Sequence, residues 1–268
     1  MKIKNLSKHI LYLLGPGISL YSKIILRFRK RYTPFTLKFF GKNISVLDSG
    51  SFLGVYQEIF VNEIYKFTPS SKKSKPIIID CGSHIGVSIM YYKRYLPDSE
   101  IISFEADPDI YQVLKNNIES VSLKDIQCHN KAVWDNNDGI QFTKEGGASG
   151  TISTFRPETQ DNIVVIPTVR LKNILEEFES IDFLKMDIEG AEVEVMRDCA
   201  NSLDKVERIF IEYHSYKDRN QELDALLTIL NKNNFRYHIT EAYASVHPFV
   251  HVEPMMGMDL LLNIYAWK

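Results

Sequence analysis

The chain has 268 residues, 44% of them hydrophobic and 25% charged, which is ordinary for a soluble globular protein of one large domain or a domain with an appendage. Its net charge of -2 argues against a nucleic-acid binder that relies on overall positive charge. Three cysteines, Cys81, Cys128 and Cys199, are odd in number and form no CxxC pair, so they give neither a disulfide framework nor a zinc signature and fit a reducing cytoplasmic setting.

The average conceals an asymmetry. No Asp or Glu precedes Asp48, whereas Lys2, Lys4, Lys8, Lys23, Arg27, Arg29, Lys30, Arg31, Lys38 and Lys42 all fall before it. Residues 1-47 therefore read as a basic amphipathic arm. Within it, "HILYLLGPGISLYSKIILRF" is broken by Gly15-Pro16-Gly17 and interrupted by Lys23, and neither apolar half reaches the roughly 20 residues that span a bilayer. No small-residue cleavage pattern marks a leader. The arm is expected to be soluble or to lie at a membrane interface. Residues 48-75 come next as a helical segment and linker: "GVYQEIFVNEIYKF" places Tyr56, Ile59, Phe60 and Ile64 near one helical face, and "TPSSKKSKP" separates that helix from the larger domain.

From residue 76 to 268, short β-branched runs alternate with helical patterns. Strands are expected at 77–80, 100–105, 126–134, 181–187 and 208–214, with helices at 85–95, 108–119, 171–178, 191–199 and 221–231. Pro108 behind Asp107 suits a first-turn proline after an N-cap. Such alternation predicts an α/β fold, a parallel sheet covered on both faces. "RYHITEAY" and "DLLLNIYAWK" have no helix between them and read as an antiparallel pair at one edge. Segment 135–168, with "EGGASGTIST", is a long excursion of the kind often used for function; its "GGASGT" would close over a substrate or form a hairpin tip.

"PIIIDCGSHIGVSIM" is a strand running through a glycine turn into a helix, an arrangement that puts backbone N–H groups and a helix N-terminus at the carboxyl edge of a sheet. The dinucleotide pattern is G-x-G-x-x-G, but here Asp80, Gly82 and Gly86 give D-x-G-x-x-x-G. A carboxylate in place of the first glycine repels a diphosphate and suits a cationic ligand with an ammonium group, as S-adenosylmethionine has. Glu105 ends the next strand, where an acid accepts hydrogen bonds from ribose hydroxyls.

A second cluster lies in "FLKMDIEGAEVE". Its strand sits across the switch point from the first, so Lys185, Asp187 and Glu189 approach the cleft from the substrate side. Asp187 is the candidate base for a hydroxyl, and His214, ending "IEYH" on the next strand, is the alternative because its pKa lies near working pH. A Lys185 facing the interior would pair with a carboxylate. Glu192 and Glu194 read as solvated acids at a helix start. Asp187 with Glu189, Glu212 and His214 also suits magnesium or manganese, a less favoured reading. His247, His251 and Glu253 are i,i+4 and near neighbours, but Pro248 and Pro254 argue for a loop without metal.

In order, "DCGSHIG", "FEADP", "KMDIEGAEVEVM" and "IEYH" resemble the FkbM family of S-adenosylmethionine-dependent methyltransferases over about residues 56–243. The resemblance implies a class I methyltransferase Rossmann-like doubly wound sheet of seven strands with a reversed edge hairpin, here with an N-terminal helical extension. It also implies O-methylation of a hydroxyl on a glycan or natural product. Carried over residue by residue, Asp80, Gly82 and Gly86 hold the methionine end, Glu105 the ribose, and Ala132 lies near the adenine. Ser83 and His84 stand in the glycine loop where the family usually has Ala and Asn.

The acceptor is then expected to be a glycan, a lipid-linked glycan or a small molecule, with the arm free to meet a membrane, the protein's own domain or a second subunit. Two other classes stay open: an NAD-dependent oxidoreductase and a noncatalytic nucleotide-binding module.

Overall fold

The structure is a computed structural model that describes residues 15–70, 75–143, 151–152 and 163–268. The "GGASGT" stretch, save the backbone of Thr151, and the first fourteen residues of the arm lie outside them.

The N-terminal part begins with helix α1 (Leu20–Phe28), capped by the Ser19 hydroxyl, which accepts from the Ser22 N–H. A tight antiparallel hairpin comes next, β1 (Phe35–Phe39) paired with β2 (Lys42–Val46), which the helical expectation for the arm did not foresee. The run "FTLKFFGKNISV" does alternate apolar and polar residues about a glycine, and Leu37, Phe39, Ile44 and Val46 are all buried on one face. Asp48 then caps α2 (Ser49–Tyr56), which continues as one π turn through Val61. The Asp48 carboxylate accepts from the N–H groups of Ser51 and Tyr32 and from Arg31 at 2.8 Å, and these partners outweigh its burial and hold it well below the usual carboxylate range.

The central unit is β3 (Ile77–Cys81), α3 (Val87–Tyr95), β4 (Glu100–Phe104), α4 (Pro108–Val121) and β5 (Ile126–His129). As expected, Asp107 caps α4 ahead of Pro108, accepting from the N–H groups of Asp109 and Ile110. The single strand expected at 126–134 is instead two. β6 (Ala132–Trp134) leaves the main sheet after Asn130, whose side chain donates to the Glu105 and Ala106 carbonyls, and pairs in parallel with β10 (Thr168–Arg170). Between them β7 (Ile140–Thr143), β8 (Thr151–Ile152) and β9 (Ile163–Ile166) form a small antiparallel sheet from the excursion.

The rest comprises α5 (Leu171–Glu176), β11 (Phe183–Met186), α6 (Glu192–Cys199), β12 (Arg208–Tyr216), α7 (Leu223–Lys232), β13 (Arg236–Ala244) and β14 (Met258–Trp267). The main sheet has the order β13-β14-β12-β11-β3-β4-β5; its five strands from β12 to β5 are parallel, and β14 and β13 run antiparallel at one edge. The class I methyltransferase fold is thus present, with its switch point between β3 and β11.

Strand alternation divides the core. Ile79, Phe104, Leu184 and Ile211 face one layer with α5, α6 and α7, while Ile78, Ile101, Phe183 and Phe210 face the other. That second layer contains α3 and α4 and also Ile18, Leu26, Leu37, Phe39, Ile44, Phe52, Tyr56 and Phe60. Residues 15–61 are therefore part of the core on that face. Buried Asn117 on α4 joins the two parts, accepting from Ser45 N–H and donating to the Ser45 and Ile85 carbonyls.

Candidate active site

Two adjoining clefts open at the carboxyl ends of the parallel strands. The first, about 870 Å³, is a mainly apolar slot between Phe104, Ala106, Ile110, Ala132, Val133 and Phe142, with Glu105 in its wall. The second, about 1050 Å³, lies toward α2, β12 and the tail and is lined by Arg31, Tyr32, Glu58, Tyr65, Lys185, Glu212, His214, Met255 and Met256 among others. Ser51, Val55, Gly82, His84, Asp187 and Glu189 line both, so the glycine loop, the β11 end and one side of α2 form the wall between them.

The glycine loop turns through left-handed backbone at Gly82 (φ 85°), His84 (φ 48°) and Gly86 (φ 91°). Its entry is fixed by the N–H groups of Gly82 and Ser83, which both donate to the Phe104 carbonyl. A Cβ on Gly82 would lie 1.8 Å from the Asp187 carbonyl oxygen, so this glycine is required by close approach as well as by its φ. Ser83 turns inward, its hydroxyl donating to the Asp80 carbonyl.

Asp80 does not face either cleft. It is fully buried, accepts from the Ser88 hydroxyl at 2.6 Å, and lies 3.3 Å from Lys185 Nζ. Its charge is met by that ammonium, which corrects the expectation that it receives the cationic end of a ligand. Lys185 also donates to the Gly82 and Cys81 carbonyls and lies 3.3 Å from Asp187 Oδ2. Burial works against the lysine's charge, but Asp187 and Asp80 outweigh it and raise its pKa. The "KMD" lysine is thus a cationic rivet between β3, β11 and the loop, as the paired reading of Lys185 implied.

Glu105 projects into the first cleft. Its carboxylate accepts from His84 N–H at 2.8 Å and Asp107 N–H at 2.9 Å, leaving further lone pairs for hydroxyl donors. Burial dominates these bonds and pushes the group up to about 7. For this acid, stability is greatest below the unfolded pKa of about 4.5 and falls as pH rises toward 7, because the folded state holds the proton more tightly. A bound diol would favour the ionised form. Affinity for a ribose-bearing ligand is therefore expected to rise between pH 6 and 8, and Glu105→Gln should flatten that dependence in calorimetric titrations.

Asp187, Glu212 and His214 meet at the junction. Burial alone would raise Asp187, but Lys185 and His214 outweigh it and keep the carboxyl below its ordinary range. Glu212 moves the other way: burial, then the Asp187 charge, push it well above the usual carboxyl range, which favours a hydrogen bond from its carboxyl to Asp187. His214 Nδ1 contacts Glu192 Oε1 at 3.0 Å and its Nε2 lies 3.7 Å from Glu189 Oε2. Burial opposes its charge, yet Glu192, Glu189 and Glu212 hold the ring well above its usual pKa. These acids thus favour the protonated ring and work against the role of base expected of His214. Glu192 is also corrected: it is buried, and besides His214 it accepts from the N–H groups of Ile188 and Gly190. Glu194 is half-buried and paired with Arg219.

Asp187, Glu212 and one nitrogen of His214 lie within 4.8 Å of one another, a donor set that would hold a divalent cation only with Glu212 and His214 deprotonated. His247 and His251 lie outside helix and strand in an exposed loop. Glu58, Arg31 and Tyr32 carried no sequence signal: nothing in the basic arm shows that its chain returns to the β11 end.

Residues 80–237 match the model of the Methyltransferase FkbM domain. The chain belongs to the FkbM methyltransferase family. Among curated relatives, Methyltransferase sdnD of Sordaria araneosa is 28% identical over 179 residues, covering 53% of this chain and 67% of its own length. Methyltransferase 1 of Beauveria bassiana is 26% identical over 166 residues, and 2-O-methyltransferase NoeI of Sinorhizobium fredii is 28% identical over 159 residues; each covers 53% of this chain and 65% of the relative. The chain thus spans about two thirds of the length of these relatives. The FkbM match includes the glycine loop, Glu105, Ala132, "KMDIEGAE" and His214.

Proposed function

We propose that the protein is an S-adenosylmethionine-dependent O-methyltransferase acting on a hydroxyl of a glycan or related natural product. The observation that carries this reading is the shared wall: an apolar slot with a carboxylate opens beside a larger polar cleft, and Asp187 stands between them. The slot suits adenine between Ala132, Phe142 and Ile110, with Glu105 on the ribose. The name of the Sinorhizobium fredii relative, a 2-O-methyltransferase, supports an oxygen acceptor.

When bound, S-adenosylmethionine supplies a methyl group already activated on a sulfonium. The protein's task is therefore alignment and relief of the hydroxyl proton. The acceptor hydroxyl would become acidic as its oxygen took up the methyl group and the sulfonium left as a neutral thioether. Asp187, kept anionic by Lys185, accepts the proton at that stage. His214 lies against Glu192 at 3.0 Å and Glu189 at 3.7 Å and holds these two acids at the edge of the cleft.

The test is transfer of radiolabelled methyl groups to glycan and lipid-linked glycan fractions. Asp187→Asn is expected to lower kcat roughly 100-fold while S-adenosylhomocysteine affinity stays within about twofold. Unchanged turnover would remove Asp187 from the proton path.

A further inference from the structure

The α1 helix is inverted relative to an ordinary surface helix. Leu20, Tyr21, Ile24, Ile25 and Phe28 fall at helical spacing on its outward face, with Tyr21 75% and Phe28 85% exposed, whereas Lys23 and Leu26 point inward and are buried. A second exposed apolar segment lies in the loop between β13 and β14, where Val246, Phe249 and Val250 are all more than four-fifths exposed. These two stretches are far apart in sequence, yet each lies a few residues before side chains that line the second cleft. The chain from α1 supplies Arg31 and Tyr32 to it, and the loop supplies Met255 and Met256.

Apolar side chains this exposed need a cover, and charge identifies which. Arg27 and Lys30 are exposed at and just beyond the end of α1, and no acid precedes Asp48; of the other cations there, Lys23 is buried and Arg31 is paired with Asp48. Apolar side chains interleaved with cations suit the interface of an anionic bilayer, where rings enter the headgroup region and cations meet phosphates. An apolar dimer seam has no need of that charge excess. No helix among the described residues is long and apolar enough to cross a membrane, so the contact is peripheral.

We propose that α1 and the 246–252 loop dock on an anionic membrane surface and present the second cleft to an acceptor held in that membrane. The membrane contact is argued from the surface alone; the acceptor part rests on reading that cleft as the acceptor site. A lipid-anchored hydroxyl compound would then reach Asp187 without leaving the bilayer.

Vesicle flotation of the full chain decides it, since residues 15–47 belong to the core and cannot be cut away. The full chain is expected to float with phosphatidylglycerol–phosphatidylcholine vesicles, less in high salt and weakly on phosphatidylcholine alone. Ile24→Asp with Phe28→Asp, and separately Phe249→Asp, should each weaken flotation on the order of tenfold with S-adenosylhomocysteine affinity unchanged. Failure of the full chain to float, or flotation of both variants equal to that of the unaltered chain, overturns the proposal. So does a dimer that the α1 variant splits without any flotation, which would make the face a contact between copies. Loss of S-adenosylhomocysteine binding by the unaltered chain would count against the functional reading, while the flotation result would still decide the membrane contact.

Discussion

Gly82→Ala is expected to abolish S-adenosylhomocysteine binding in calorimetry and to lower the thermal midpoint. The new methyl would stand 1.8 Å from a backbone carbonyl, at φ 85°, and Asp187 cannot move aside because its N–H is bonded to the Cys81 carbonyl at 3.2 Å. Left-handed backbone at a non-glycine residue costs about 1–2 kcal/mol. Displacing packed backbone adds about 1–3 kcal/mol. Relief by widening the gap between β3 and β11 would separate the two clefts' shared wall, so binding should fall even where folding survives. An unchanged affinity would mean that the loop and the β11 end are not in contact.

Lys185→Met is expected to be the most destabilising single change at the site. The ammonium lies 3.3 Å from a carboxylate oxygen of Asp80 and from one of Asp187, and donates to two loop carbonyls. Removing one partner from a buried charged set costs about 3–5 kcal/mol, because the remaining charges are left without compensation. Denaturant unfolding should show the loss as a lower midpoint with an unchanged slope. Lys185→Arg should not rescue it, since a planar guanidinium cannot replace a compact ammonium among four oxygens. A loss within about 0.5 kcal/mol, the range of ordinary surface changes, would show that the lysine is not the loop's anchor.

The sheet was legible because its strands are fully buried and its helices are periodic. "IIID", "IISF" and "FLKM" cannot pack any other way between two helical layers, and the hairpin at the edge has no helix to make it parallel. The positions of Glu105 and Asp187 came from the rule that α/β sheets bind ligands at strand ends, whereas Ala132 came from the family resemblance alone. What the spacing could not show was which way a side chain points. Asp80 and Lys185 lie side by side on paired strands, and their register places each within reach of the other. An anion next to a glycine loop thus read as a ligand contact when it was half of an ion pair.

His214 illustrates a second limit. A histidine at a strand end has a useful intrinsic pKa, but Glu192 comes from a separate helix start and arrives only through folding. The N-terminal hairpin was hidden by its company: a basic segment with helix-like neighbours conceals ten residues of clean alternation about Gly41. The acceptor cleft was the least legible part, because its wall joins residues from both ends of the chain that share no motif.

The donor site can be tested without knowing the acceptor. S-adenosylhomocysteine is titrated by calorimetry into the full chain and into Glu105→Gln, with NAD as a control. The expected result is binding by the full chain, a loss of at least about tenfold in the variant because a neutral amide is the weaker partner for ribose hydroxyls, and no binding of NAD. Equal affinity for S-adenosylhomocysteine in both proteins, or binding of NAD in its place, would contradict a methyl donor held in the cleft between Glu105, Ala132 and Asp187.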